Sequence, residues 1–302
     1  MRSTLIIVFL FASSCLLGQH KEAMMSINGT KLFVKTIGKG EPIVVVHGGP
    51  GMNHTYFMPH IHQLTKDYQV ILYDQRASGQ SATPSPDSVT LSFFADDIEG
   101  IRKATGQDKI TLLAHSWGAI PAMEYAKRYP EQTKAIIFCN SIPLNKDFDN
   151  EMKENQLRKT SGLDSTDRSI IMGSPNFKAG KASAYRKLLL LSFRNSFAKQ
   201  SNFHKLNFDL PANYVTASGA LYAGLGKELL SYDYYPDLKQ MPFPVLVMYG
   251  EEDAIPAKSQ EMITDNAPNS QIEVFKKSGH FIFIEEKKKF GAEINKFMKG
   301  LR

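Results

Sequence analysis

Ala114-His115-Ser116-Trp117-Gly118 follows the apolar run Ile110-Thr111-Leu112-Leu113 and precedes a helical stretch from Ala119 to Tyr129. A small residue, a serine and a second small residue at that spacing, between strand and helix, form the nucleophile-elbow pattern. The turn is so tight that only small side chains fit two residues either side of the serine, and the strained backbone holds the hydroxyl clear of the sheet. Taken alone, the pentapeptide also fits an ordinary strand–helix turn. It gains weight from two partners that it predicts further along the chain. Asp253 follows the apolar run Pro244-Val245-Leu246-Val247-Met248-Tyr249-Gly250, and Gly279-His280 follows Ile272-Glu273-Val274-Phe275. Serine, acid and histidine thus each come just after a predicted strand, in one of the known triad orders.

Upstream, Ile43-Val44-Val45-Val46 reads as a buried parallel strand ending in His47-Gly48-Gly49-Pro50-Gly51. Glycines there let bare backbone N–H groups approach a ligand closely. The N–H groups of Gly49 and Trp117 are therefore the expected oxyanion-hole donors. Ser116 is a weak nucleophile until a base takes its proton, and neutral His280 suits that task at physiological pH. Asp253 would hold the imidazole tautomer and stabilise the imidazolium formed on attack. Its neighbour Glu252 competes for the role of acid.

The residues 47–51, the run Asp74-Gln75-Arg76-Ala77-Ser78-Gly79-Gln80-Ser81 and the elbow with Trp117 after its serine together resemble the proline iminopeptidase family of α/β-hydrolases. That family's motifs read HGGPG, DQRGxGxS and GxSWG. The similarity spans roughly residues 28–140 and 236–300. It implies the α/β-hydrolase fold, a serine mechanism and release of an N-terminal proline or similar residue. Ala114 and Ala77 stand where the family has glycines. The family also grips the substrate's free amino terminus with lid glutamates, one of them in a Trp-Glu pair. Trp117 is the chain's single tryptophan, so that pair is missing. Glu151, Glu154 and Glu228 lie in the middle segment and are assigned to solvated helix faces. His47, Asp74 and Arg76 are assigned to shaping the loops around the site.

A chain of 302 residues, 42% hydrophobic, can bury one large core with an insertion. Its first residues, Met1-Arg2-Ser3 and then Thr4 to Ala12, describe a secretory signal peptide over residues 1–18, cleaved after Gly18. The expected location is therefore exported, periplasmic or secreted; the alternatives are a protein held at the membrane by a retained N-terminal anchor or as a lipoprotein at Cys15. No other stretch approaches transmembrane length. Cys139 would remain alone in the mature chain as a buried thiol, with no intramolecular disulfide and no metal cluster expected. The net charge of +6 is spread out, and its densest runs, Lys276-Lys277 and Lys287-Lys288-Lys289, read as solvated faces rather than a nucleic-acid surface. No cofactor is expected.

Lys31–Thr36 alternates and predicts the edge strand of an antiparallel ribbon. Apolar runs at 43–46, 70–73, 110–113, 135–138, 244–249 and 272–275, with helical stretches such as Leu91–Lys103 between, predict a mostly parallel sheet with helices on both faces. The pattern breaks between about Leu144 and Tyr235, where helical stretches at Tyr185–Phe197 and Ala217–Leu230 and many aromatics predict a helical cap. The expected division is a core of 19–143 and 236–302 with a cap of 144–235. His54, His60 and His62 show no metal spacing and are assigned to a surface helix.

A serine hydrolase acting on a small molecule or short peptide follows from these features. An esterase or amidase without an amine clamp is the alternative within that class. A catalytically inactive binding module is the alternative outside it, and the complete set of Ser116, Asp253, His280 and the glycine loop argues against it. Dehalogenase or epoxide hydrolase chemistry needs an aspartate where this chain has Ser116.

Overall fold

In the computed structural model, which describes residues 20–301, the apolar runs become strands of one eight-stranded sheet. The strands are Lys21–Ile27 (β1), Thr30–Ile37 (β2), Glu41–Val46 (β3), Tyr68–Tyr73 (β4), Ile110–His115 (β5), Thr133–Cys139 (β6), Val245–Gly250 (β7) and Ser270–Phe275 (β8). Their spatial order is β1-β2-β4-β3-β5-β6-β7-β8. From β4 onward every neighbouring pair is parallel, while β1–β2 and β2–β4 are antiparallel. Successive residues of the central strands enter opposite cores: Val44 and Val46 one, Ile43 and Val45 the other. Both faces are dry, which is why those strands read as unbroken apolar runs.

The ribbon forms, but its edge lies elsewhere than expected. β2 pairs on both sides, and β1 is the outer strand. Asn28-Gly29 joins them with φ of 46° and 74°, the left-handed pair that a two-residue hairpin of the favoured hand requires. Period-two alternation reports a half-buried strand and does not distinguish an edge from its neighbour.

On one face of the sheet pack Leu91–Ala104 (α1) and Ala119–Arg128 (α2), which bury Phe94, Ile98, Ile120 and Met123. Between β6 and β7 come six helices and no strand among the described residues: Asp149–Lys159 (α3), Gly162–Gly173 (α4), Pro175–Lys178 (α5), Ala182–Phe193 (α6), Tyr214–Leu225 (α7) and Tyr235–Leu238 (α8). Ala257–Asn266 (α9) joins the first face through Ile263; Ile282–Glu285 (α10) and Lys287–Gly300 (α11) cover the other through Phe283, Phe290 and Ile294. The helices expected at 185–197 and 217–230 begin earlier, at Ala182 and Tyr214, and give way to short 3-10 turns. Cys139 is fully buried. No helix among the described residues is long and apolar enough to cross a membrane. The segment 1–18, expected to be a signal peptide, and Cys15 within it lie outside the described residues.

The loop after β4 is tied down by buried charge. Asp74 accepts from the N–H of His54 and Gln80, at 2.9 and 2.8 Å, and pairs with the His54 ring at 2.7 Å. Arg76, fully buried, pairs with Asp97 of α1 and donates to the Ser88 carbonyl. His54 and His60 are therefore not on a surface helix: His54 is spent on Asp74 and His60 on the Lys205 carbonyl, while His62 is exposed. Their spacing carried no sign of these distant partners. Ala77 sits in the same loop at φ 57°, where a Cβ costs about 1–2 kcal/mol. Ala77→Gly should relieve that strain, offset by about 0.4–1 kcal/mol of extra freedom in the unfolded chain. We expect a net gain on the order of 0.5–1 kcal/mol, read as a higher midpoint in chemical denaturation; a lower midpoint would refute the strain.

Candidate active site

Because β3, β5, β6, β7 and β8 run parallel, their C-terminal ends share one edge of the sheet, and the loops leaving them meet there. Ser116 directly follows β5 with φ 55°, a left-handed conformation that non-glycine residues adopt mainly where surrounding structure enforces it. The enforcement is local. A Cβ at Gly118 would collide with the Val46 carbonyl, so α2 starts hard against β3. Ala114, fully buried and paired with Val46, accommodates its methyl group.

His280 follows β8, and Asp253 follows β7. The Asp253 Oδ2 lies 2.8 Å from His280 Nδ1. A carboxylate only accepts, so Nδ1 carries the proton and Nε2 is left as the basic nitrogen. Burial pushes the Asp253 carboxyl up, but the charge and hydrogen bond of His280 and the amide of Asn140 outweigh it, and the group sits below the usual carboxylate range. Glu252 points elsewhere: its side chain is 57% exposed and lies 3.8 Å from Lys159.

Asn140 was not anticipated. It directly follows β6 at φ 48° and donates to Asp253 Oδ2 at 2.7 Å and to the Gly279 carbonyl at 3.1 Å. One amide thus fixes both the acid and the loop that carries the histidine. An asparagine just past a buried strand was the available signal, since asparagine tolerates left-handed backbone.

The glycine loop is braced from beneath. His47, fully buried, donates from Nδ1 to the Gly48 carbonyl at 2.7 Å and accepts the Gln75 N–H at Nε2 at 3.0 Å. Burial lowers its pKa to about 4, so it stays neutral. The Trp117 indole donates to Gln75 Oε1 at 3.2 Å.

Ser116, Asp253, His280 and Gly49 border one cavity of about 390 Å³. Its far wall comes from the helical insertion, with Met152, Lys159, Asp164, Arg168, Leu191 and Phe193 among the lining residues.

Residues 41–287 match the alpha/beta hydrolase fold family. The chain belongs to that family. Within it, a proline iminopeptidase of Clostridium botulinum is 30% identical over 275 residues, covering 86% of this chain and 90% of that protein. A proline iminopeptidase of Mycobacterium smegmatis superposes with a TM-score of 0.70 at 21% identity, over 93% of this chain and 98% of that one. An esterase of Exiguobacterium antarcticum superposes at 0.67 and 23% identity, over 94% and 100%. At those identities the two structures speak to the fold alone. The relationship to the first makes this α/β-hydrolase a serine hydrolase of proline-iminopeptidase type.

None of the three middle-segment glutamates reaches this α/β-hydrolase's cavity. Glu151 is exposed, and Glu154 is exposed 3.7 Å from Arg158. Glu228 departs from expectation. Half-buried, it accepts the Leu91 N–H at 2.9 Å, placing its charge at the start of α1, where orphan N–H groups favour an anion. Of the aromatics in the insertion, Phe193 lines the cavity, Phe197 stacks on Phe281 at 4.9 Å, and Tyr222 is largely exposed.

Proposed function

We propose that Ser116 attacks an acyl substrate, with His280 as its general base, Asp253 orienting and charge-balancing the imidazole, and the N–H groups of Gly49 and Trp117 receiving the oxyanion. A single observation carries this reading: the Asp253–His280 pair at 2.8 Å opens onto the same cavity as a serine held in a left-handed turn. The serine proton passes to His280 Nε2 as the hydroxyl oxygen adds to the carbonyl. The imidazolium then returns that proton to the leaving group, and water repeats the sequence to release the acid. Labelling of the intact protein by a fluorophosphonate, absent after heat denaturation, tests the reading; no labelling refutes it.

For the substrate, the iminopeptidase relatives favour a small amino-acyl group, and an ester or amide without a free amine is the second reading. One feature of the cavity favours the second. A buried ammonium needs a carboxylate partner to offset its desolvation. The acids lining the cavity are Asp253, engaged by His280, and Asp164. Asp164 accepts from the Ser161 N–H and hydroxyl and from Asn195, and pairs with Arg194 at 3.1 Å. The Ser161 hydrogen bond, with these others, draws its pKa down to about 2. Lys159 and Arg168 add positive charge to the same wall. N-acetylation of the best amino-acyl arylamide is therefore expected to change kcat/KM by less than about threefold. A fall of about 100-fold, equivalent to roughly 2.7 kcal/mol, would instead establish an amine clamp and the iminopeptidase reading.

We further propose that residues 144–235 act as a cap on a core of 19–143 and 236–302, and that the apolar N-terminal segment exports the protein. N-terminal sequencing of the protein from cell fractions tests the export: a mature chain starting at Gln19 outside the cytoplasm supports it, and an intact Met1 in the cytoplasm refutes it.

A further inference from the structure

Beneath the cavity, Tyr56 and His115 form a buried hydrogen-bonded chain that the reaction scheme leaves unused. Tyr56 is fully buried in the 3-10 turn His54–Phe57, and His115 is 2% exposed at the end of β5. The Tyr56 hydroxyl lies 2.6 Å from the Gly48 nitrogen and 2.8 Å from His115 Nδ1. His115 Nε2 lies 3.0 Å from the His280 carbonyl oxygen.

The partners fix the direction of every proton. A carbonyl only accepts, so His115 carries its proton on Nε2. Burial, reinforced by the nearby His280, lowers the pKa of His115 to about 3, so the ring is neutral and Nδ1 is an acceptor. Tyr56 must then donate to Nδ1, since burial raises its phenol well above the usual range and keeps it protonated. Its oxygen is left to accept the Gly48 N–H. The sequence is Gly48 N–H to Tyr56, Tyr56 O–H to His115, and His115 N–H to the His280 carbonyl.

Each end of this chain touches a different part of the proposed machinery. Gly48 precedes Gly49, His115 precedes Ser116, and the last acceptor belongs to the backbone of His280. The packing is close: a Cβ on Gly48 would stand 3.0 Å from the Ser116 Cβ and 3.1 Å from both His115 Nδ1 and the Tyr56 hydroxyl. The glycine loop, the elbow and the histidine loop come from β3, β5 and β8, which no single strand pairing holds in mutual register.

We propose that Tyr56 and His115 are positioning residues that set the oxyanion donor, the nucleophile and the base relative to one another. The proposal rests on the roles given above to Gly49, Ser116 and His280. Neither side chain borders the cavity, so both act through the backbone they hold. Oxyanion stabilisation depends on donor placement in the transition state, so a fault in this chain should appear in kcat more than in KM.

The test uses Tyr56→Phe, which removes only the hydroxyl, His115→Phe, which removes both hydrogen bonds, and His115→Gln, whose amide supplies one acceptor and one donor. Each is assayed with one aryl ester, with a trifluoromethyl ketone that forms a tetrahedral adduct on serine, and with the product acid as a ground-state ligand. Tyr56→Phe is expected to lower kcat by about 10- to 100-fold with KM within about threefold. Ketone affinity should fall in parallel while affinity for the acid holds. The Tyr56→Phe/His115→Phe double variant should lose no more than the worse single one, because both cut one chain. His115→Gln should restore most of the kcat lost in His115→Phe. A Tyr56→Phe enzyme that loses stability but keeps its kcat and ketone affinity would reduce the chain to packing and overturn the proposal. If Tyr56→Phe does not fold, the comparison of His115→Gln with His115→Phe decides alone, with equal kcat in the two as the overturning result. Failure of the underlying mechanism would look different: Ser116→Ala would retain turnover whatever happens at Tyr56.

Discussion

Ser116→Ala is expected to abolish fluorophosphonate labelling and to lower kcat on the order of 10⁵- to 10⁶-fold, to a residue of catalysis supplied by binding and the oxyanion donors alone. The substitution removes one oxygen and leaves the backbone to the same enforcement. Gly118 still meets the Val46 carbonyl, and the β5–β6 pairing still brings His115 beside Cys139. The loss should therefore come without unfolding, and circular dichroism with a thermal melt separates the two. His280→Ala should be nearly as severe, and the double variant no worse than Ser116→Ala, because a nucleophile and its base act as one unit. Turnover within tenfold of the parent in Ser116→Ala would end the assignment, and a second reactive group would have to be sought.

The sheet and the site were not equally legible. Central strands bury both faces, so a run such as Ile43–Val46 announces a parallel strand whatever surrounds it. Ser116, Asp253 and His280 were legible because a parallel sheet delivers successive strand ends to one edge, turning separation along the chain into proximity. What stayed hidden were partnerships settled by side-chain reach. Nothing near Asn140 in sequence indicates Asp253, and nothing near Tyr56 indicates Gly48 or His115. His54 and Glu228 read as solvent-facing in sequence for the same reason, since the carboxylate and the N–H group that claim them lie 20 and 137 residues away. The edge strand failed differently. Asn28-Gly29 marks the hairpin, and Lys21–Ile27 alternates, with Ala23, Met25 and Ile27 turned inward, but Met24 on the exposed face and Lys21-Glu22 at its start blur that pattern. The insertion is the least legible part because its helices pack on loops and on one another, so their stripes are interrupted and their ends shift by a turn.

Asp253→Asn is expected to keep the fold and lower kcat by about 10⁴-fold, the scale of loss when a triad acid becomes an amide. The geometry here adds a reason of its own. Asp253 Oδ2 accepts from both His280 Nδ1 and Asn140 Nδ2, and Oδ1 accepts the Ile255 N–H at 3.3 Å. A carboxylate offers two accepting oxygens to these donors, and an amide offers one. If the amide oxygen faces Ile255, the amide nitrogen confronts two donors, and His280 must reverse its tautomer and lose Nε2 as a base. If the oxygen faces His280, the tautomer survives, the nitrogen meets the Ile255 N–H, and the imidazolium formed on attack has lost its counter-charge. Either orientation slows the chemical step, so kcat should fall while KM and the thermal midpoint change little. Glu252→Gln is the matched control. Its side chain is exposed and meets only Lys159 at 3.8 Å, and an exposed pair of that kind contributes about 0–1 kcal/mol to stability. Its kcat should stay within about twofold, because its charge lies outside the site and is screened by solvent. A Glu252→Gln enzyme that is inactive beside a working Asp253→Asn enzyme would reverse the assignment of the acid.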